Sequence, residues 1–208
     1  MVQRLKGTRK QRAGTKPPKG HIETNRVTKK PIRPRQTPSV RRNVSLRSAA
    51  ARGDMQGIER HLARGANING RSRTHGYRPV HMALISDHRD AAEMLLKRGA
   101  NPRLKDNRGR TSLHHSAMRG NAEMITQLLK KKHGINEKDS FGWTPLHYAV
   151  VSGNARVVKM LLDARADPTI KNGGGMTAKE QAVKNGHQDL VELMRNTAKP
   201  HGPRTGYM

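Results

Sequence analysis

The chain has 208 residues, no cysteine, and 42 Lys and Arg against 15 Asp and Glu, for a formal net charge of +27. Hydrophobic residues make up only 33% of it. That is low for a globular domain, and no apolar run reaches the ~18 residues a membrane span needs. The missing cysteines exclude disulfides and thiolate metal sites and fit a reducing compartment.

Residues 1–44 are the first segment. They carry 14 of the cations and a single acid, Glu23, together with Pro17, Pro18, Pro31, Pro34 and Pro38 and few apolar side chains. Such a stretch cannot bury enough surface to offset its chain entropy, so it is expected to be a disordered basic arm. Lys29, Lys30, Arg33, Arg35, Arg41 and Arg42 form a basic cluster of the kind read as a nuclear address. The same residues suit the phosphates of RNA or DNA, where each neutralised phosphate releases counterions. The arm has no aromatic residue, so contact with nucleic acid would be to phosphates and not by base stacking. A mitochondrial presequence fits the absence of acids from the first 22 residues, but Pro17-Pro18 opposes an amphipathic helix. A purely solubilising tail is the remaining alternative. No apolar core near the start suggests a secretory leader, and Thr37-Pro38 is a weak phosphorylation motif.

From residue 45 to residue 196 the chain repeats itself. Arg78-Pro79-Val80-His81, Thr111-Ser112-Leu113-His114 and Thr144-Pro145-Leu146-His147 stand 33 residues apart. So do Gly76, Gly109, Gly142 and Gly175, and the pairs Leu95-Leu96, Leu128-Leu129 and Leu161-Leu162. A period this long marks a stack of one supersecondary unit. The first unit, residues 45–70, lacks the four-residue phrase, as terminal caps do, and shows Ala49-Ala50, Gly53-Asp54, Ile58 and Leu62. The second, 73–106, has Asp87-His88 where the fourth has Gly153-Asn154; the third is 107–139. In the fourth, 140–172, Thr144 is placed to cap a short helix and Pro145 takes the first helical position, where no needed donor is lost. Gly153 then ends that helix, and Val157, Val158, Leu161 and Leu162 give the next one an apolar stripe. The fifth, 173–196, keeps Met176-Thr177-Ala178 and Leu190-Val191 under a polar surface suited to a cap, and residues 197–208 form a C-terminal tail.

The period, the Thr-Pro-Leu-His phrase, Gly153-Asn154 and the closing Ala166-Asp167 resemble the ankyrin repeat family over about residues 45–196. The resemblance implies an all-α repeat solenoid of helix-turn-helix units with β-hairpin loops, and a habit of binding proteins. It implies that His81, His114 and His147 are structural and tie one unit to the next. It also implies a concave binding face at the loop tips and first-helix ends. On this chain that face takes in Tyr77, Arg108, Arg110, Arg119, Phe141, Trp143 and Val151. Three of the five aromatic residues of the chain are among them, and aromatics with Arg dominate interface energetics. The face therefore suits a protein partner that is acidic with an apolar anchor. The alternative is that Phe141 and Trp143 pack between neighbouring loops. A methyl-lysine cage is disfavoured because the surrounding arginines repel a cation.

Lys97, Arg98, Lys130, Lys131 and Lys132 fall near the ends of second helices, where cations suit the helix dipole. Together with the arm they could also extend a basic track. Enzymatic readings are poor. Gly173-Gly174-Gly175 lacks the Gly-Lys-Ser/Thr of a phosphate loop, His114-His115 lacks helical ligand spacing, and no paired carboxylates stand out. No catalytic residue, metal or cofactor is expected. Asn136 resembles the loop asparagine that is hydroxylated in some ankyrin proteins. The expected function is a monomeric, non-enzymatic adaptor, intracellular and nuclear more than cytoplasmic. It would bind a protein through its concave face and use its arm for nuclear targeting or nucleic-acid contact. The alternative is a structural subunit of a ribonucleoprotein particle whose arm lies on RNA phosphates.

Overall fold

The computed structural model describes residues 38–130 and 134–197. Within them are ten helices: α1 (Pro38–Ala51), α2 (Met55–Ala63), α3 (Pro79–Ile85), α4 (Arg89–Lys97), α5 (Ser112–Met118), α6 (Ala122–Lys130), α7 (Pro145–Val151), α8 (Ala155–Asp163), α9 (Ala178–Lys184) and α10 (Gln188–Thr197). They pair in chain order into five units, and the described residues form an all-α repeat solenoid. First helices pack in one row, α1 on α3, α3 on α5, α5 on α7 and α7 on α9. Second helices pack beside them, α2 on α4, α6 on α8 and α8 on α10.

Helices of seven to nine residues are too short to persist alone in water; burial between neighbours holds them. The first-helix row meets through a column of small residues, Ala49, Ala83, Ser116, Ala149 and Ala182, all fully buried. The absence of bulk lets the backbones approach closely. The second helices supply the larger apolar groups, with Ile58, Leu95, Ile125, Leu128, Val157, Val158 and Leu161 essentially inaccessible. Each such side chain contributes about 1.5–3 kcal/mol on burial.

The turn between paired helices has a local cause. Gly120 and Gly153 take left-handed φ values of 65° and 67°, and the following asparagines cap the next helix. Asn121 Oδ1 accepts the Met124 amide at 3.0 Å, and Asn154 Oδ1 accepts the Val157 amide at 3.0 Å. Unit two departs from this on both counts. Asp87 carries the positive φ (57°) without being glycine, and His88 makes no side-chain cap.

Two expectations change. The boundary drawn at residue 44 falls inside α1, whose backbone begins at Pro38; proline at the first helical position gives up no helical hydrogen bond, so the helix can start there. The loops contain no strand among the described residues. Each is closed by one bond across its base, Asp106 to Arg110, Asp139 to Trp143 and Asn172 to Met176, and one turn bond, Gly109 to Asp106, Gly142 to Asp139 and Gly175 to Asn172, so no hairpin ladder forms. Lys29, Lys30, Arg33, Arg35 and the arm's expected disorder lie outside the described residues, as do Lys131, Lys132 and the tail from 198. The side chains of Arg41 and Arg42 do too.

Candidate functional site

Three successive loops share one internal frame. Asp106 Oδ1 accepts the amides of Arg108 (2.8 Å) and Arg110 (3.0 Å). Asp139 Oδ1 accepts those of Phe141 and Trp143, both at 2.9 Å. Asn172 does the same for Gly174 (2.9 Å) and Met176 (3.1 Å). The glycine between the two amides is left-handed each time, with φ near 75° at Gly109, Gly142 and Gly175. A Cβ on Gly142 would also come within 2.7 Å of the Gly173 amide nitrogen, so a side chain is excluded there on two grounds.

Neighbouring loops are bonded to one another through the main chain. The amides of Asn107, Ser140 and Gly173 donate to the carbonyls of His75 (2.9 Å), Arg108 (2.8 Å) and Phe141 (2.7 Å). Beneath them, Thr111 and Thr144 close capping boxes in which histidine replaces the usual acid. His114 Nδ1 accepts the Thr111 amide at 3.1 Å, and His147 Nδ1 accepts the Thr144 amide at 3.2 Å. This leaves the proton on Nε2, which donates into the next unit. His114 reaches the carbonyl of Trp143 in the next unit (3.2 Å) as well as that of Glu137 at the end of its own (3.0 Å), and His147 reaches that of Met176 (3.1 Å). Burial favours the neutral ring, lowering His114 to about 4 and His147 below the ordinary histidine range. These two histidines tie units together as expected. His81 does not: Arg78 stands in the threonine position, neither ring nitrogen has a partner among the described residues, and the ring lies 5.1 Å from that of His115. Burial, reinforced by His115, lowers His81 to about 3.

The seven residues expected on a binding face separate into three groups. Phe141 is 56% exposed and Val151 41%, and Arg108 is exposed. Phe141 and Arg108 occupy the same loop position one repeat apart and are joined through the Ser140 amide. Trp143 and Tyr77 are half-buried one column inward. Trp143 lies 5.2 Å from the Tyr148 ring and 5.8 Å from His147, and Tyr77 stacks on His75 at 5.2 Å. Arg119 is exposed but its guanidinium donates to the Ile85 carbonyl of the preceding unit.

Arg110 is not on the surface. It is 7% exposed, and its Nε and Nη2 both lie 3.0 Å from Asp106 Oδ2. His115 Nε2 reaches the same oxygen at 3.1 Å, and Tyr77 Oη accepts from Arg110 at 3.3 Å. Burial alone would raise the Asp106 carboxyl. The hydrogen bonds from His115 and from the Arg110 and Arg108 amides outweigh it and hold the group below the carboxylate range. Arg110 occupies the Trp143 column, where neighbouring units place an apolar or aromatic group; the buried Asp106 four residues before it is what makes a cation tolerable there. Tyr148 makes the corresponding contact in unit four, donating to Asp139 Oδ2 at 2.6 Å.

Sequence reading missed a row on the outer edge of these loops: Arg71, Lys105, Lys138 and Lys171, all exposed. Each directly precedes the residue that frames its loop, and Lys105, Lys138 and Lys171 stand 33 apart, so the signal was available. Asn136 spends its Oδ1 on the Asp167 amide at 2.9 Å.

Among the described residues no helix is long and apolar enough to cross a membrane, and no group of three His, Asp or Glu is placed to hold a metal ion. Residues 98–172 match the family model for ankyrin repeats in three copies, and residues 75–107 match that for a single ankyrin repeat. No curated protein matches the chain.

Proposed function

Because residues 75–172 place this chain in the ankyrin repeat family, whose repeats are protein–protein interaction modules, we propose that it is a non-enzymatic adaptor. It grips an acidic protein partner by the exposed loop face. The observation that carries this reading is Phe141, a large apolar side chain left 56% exposed on a rigidly framed loop beside Arg108. An exposed aromatic residue beside an arginine is the kind of pairing in which protein interfaces are enriched. Arg108 and Val151 extend the contact, and Tyr77 and Trp143 present only their outer edges. Arg110 supports the face from within, through Asp106, and touches no partner. The arm, with Lys29, Lys30, Arg33, Arg35, Arg41 and Arg42, would supply nuclear targeting or phosphate contact. Its charge supports both, and RNA binding measured across a salt series for the intact chain and for one starting at Pro38 separates them.

Phe141→Ala tests the anchor. The substitution removes an exposed ring, so far-UV circular dichroism and urea unfolding should stay at wild-type values. Recovery of partners from cell extract by affinity capture should drop at least fivefold. Undiminished capture with an intact fold would refute the anchor.

A further inference from the structure

The loops sort their charges. The carboxylates of Asp106 and Asp139 turn inward, where they accept the amides of their own loops and are buried. The residue before each turns outward and is a lysine. Alternation along the extended segment that enters the loop is the cause, since successive side chains point to opposite sides. Repeated unit by unit, it sets Arg71, Lys105, Lys138 and Lys171 in one exposed row, with Arg73 and Arg108 on the same tips. Few acids offset it. Glu137 is shared by Lys105 (3.1 Å) and Arg103 (3.9 Å). No ion pair engages Lys138, Lys171, Arg73 or Arg108 among the described residues. The loop-to-loop backbone bonds fix the spacing of the row, so these charges are preorganised in one line and not scattered over mobile segments.

We propose that this row is an electrostatic rail for an extended acidic polypeptide that crosses the loop tips and sets one apolar residue against Phe141. The inference rests on the interaction-face reading above and specifies the partner's form. An acidic peptide is favoured over a nucleic-acid strand by density: the four tips supply only one or two cations each, and Phe141 is the one large aromatic ring among them left mostly exposed. A single strand needs a denser groove and a series of stacking platforms for successive bases. Exposed pairs are individually weak and act together to steer encounter and fix register.

The test uses the full chain and two variants of equal charge. One is Lys105→Gln/Lys138→Gln/Lys171→Gln, on the row; the other is Lys130→Gln/Lys159→Gln/Lys184→Gln, on helices. The probes are a fluorescein-labelled poly-Glu peptide with a central Leu, its all-Glu counterpart and a poly-dT oligonucleotide, read by anisotropy at low salt. The basic arm contributes equally to every protein, so the difference between variants isolates the row. The rail predicts roughly tenfold weaker peptide binding for the row variant, a change under about twofold for the helix variant, and no row-specific loss for the oligonucleotide. Equal losses in both variants would reduce the effect to bulk charge and overturn the rail, as would no loss at all. A row-specific loss for the oligonucleotide as large as that for the peptide would overturn the choice of partner. Phe141→Ala is scored separately, as loss of the preference for the Leu-containing probe. If that preference is absent while the row effect persists, the anchor fails and the rail stands; if it is present without a row effect, the rail fails and the anchor stands.

Discussion

Removing the Asp106 carboxylate is the sharpest test of how the second and third units are held together. Asp106→Ala deletes the acceptor of two loop amides, both guanidinium contacts of Arg110 and the His115 Nε2 contact. Arg110, at 7% exposure, would then be a buried cation without its counter-charge. Breaking a buried pair from one side costs about 3–5 kcal/mol, and we expect ~4 kcal/mol here. Arg110→Met should cost less, about 1–2 kcal/mol, because Asp106 keeps its two amides and His115. The double variant removes the stranded cation and should be more stable than Asp106→Ala alone by about 2 kcal/mol. Urea unfolding followed by far-UV circular dichroism at neutral pH gives all three values. An Asp106→Ala chain within about 0.5 kcal/mol of wild type, or a double variant whose losses simply add, would refute the buried network. The same series decides what Arg110 does for function: Arg110→Met should reduce partner capture only to the extent that it unfolds the chain.

Ser116 sits fully buried in the otherwise alanine column, its hydroxyl without a partner among the described residues, so Ser116→Ala should raise the unfolding free energy by about 1 kcal/mol in the same urea assay. Replacing Asp87-His88 by Gly-Asn restores a relaxed left-handed turn and a cap for α4; a gain of about 1–2 kcal/mol is expected, and a thermal midpoint at or below wild type would count against it. The buried histidines set a pH window. His114 is lowered to about 4 and His147 is lowered as well. The unfolded chain therefore binds more protons than the folded one below the free histidine value, ~6.5. Stability is complete above that value and falls as pH drops toward 4, by on the order of 3 kcal/mol for His114. His114→Gln should flatten that slope, and an unchanged slope in urea titrations across the window would contradict the neutral capping role.

Thr144, Pro145, Gly153 and Val157 could be read from sequence because each acts within a few residues of itself: cap, first helical position, turn, apolar stripe. Repetition then fixed how the units stack. Phe141 and Arg108 were legible as exposed for the same reason, since the loop position is set by Gly109 and Gly142. Arg110 was misplaced because its column is inward, and only the side-chain pairing with Asp106 and His115, packed in three dimensions, makes burial of a guanidinium acceptable. His81 follows the histidine pattern in sequence. It loses the tie in space because the residue three before it, Arg78, offers no capping hydroxyl and donates instead to the Asn69 carbonyl. The start of α1 was hidden because an Arg- and Pro-rich composition reads as coil.

The bonds from Asn107 to His75, Ser140 to Arg108 and Gly173 to Phe141 employ main-chain atoms only. Each accepting residue gives its carbonyl to the scaffold; the His75 ring also stacks on Tyr77, whereas Phe141 and Arg108 stay exposed. Positions 108 and 141 are thus a rewritable alphabet: new letters change whom the protein addresses while the page they are written on keeps its shape. The donor positions are not equally free. At 173 a Cβ would stand 2.6 Å from the Phe141 carbonyl oxygen, and at 107 the asparagine amide is committed to the Thr74 carbonyl. Divergence between descendants of this chain should accordingly concentrate on positions 108 and 141 and spare the donors at 107 and 173.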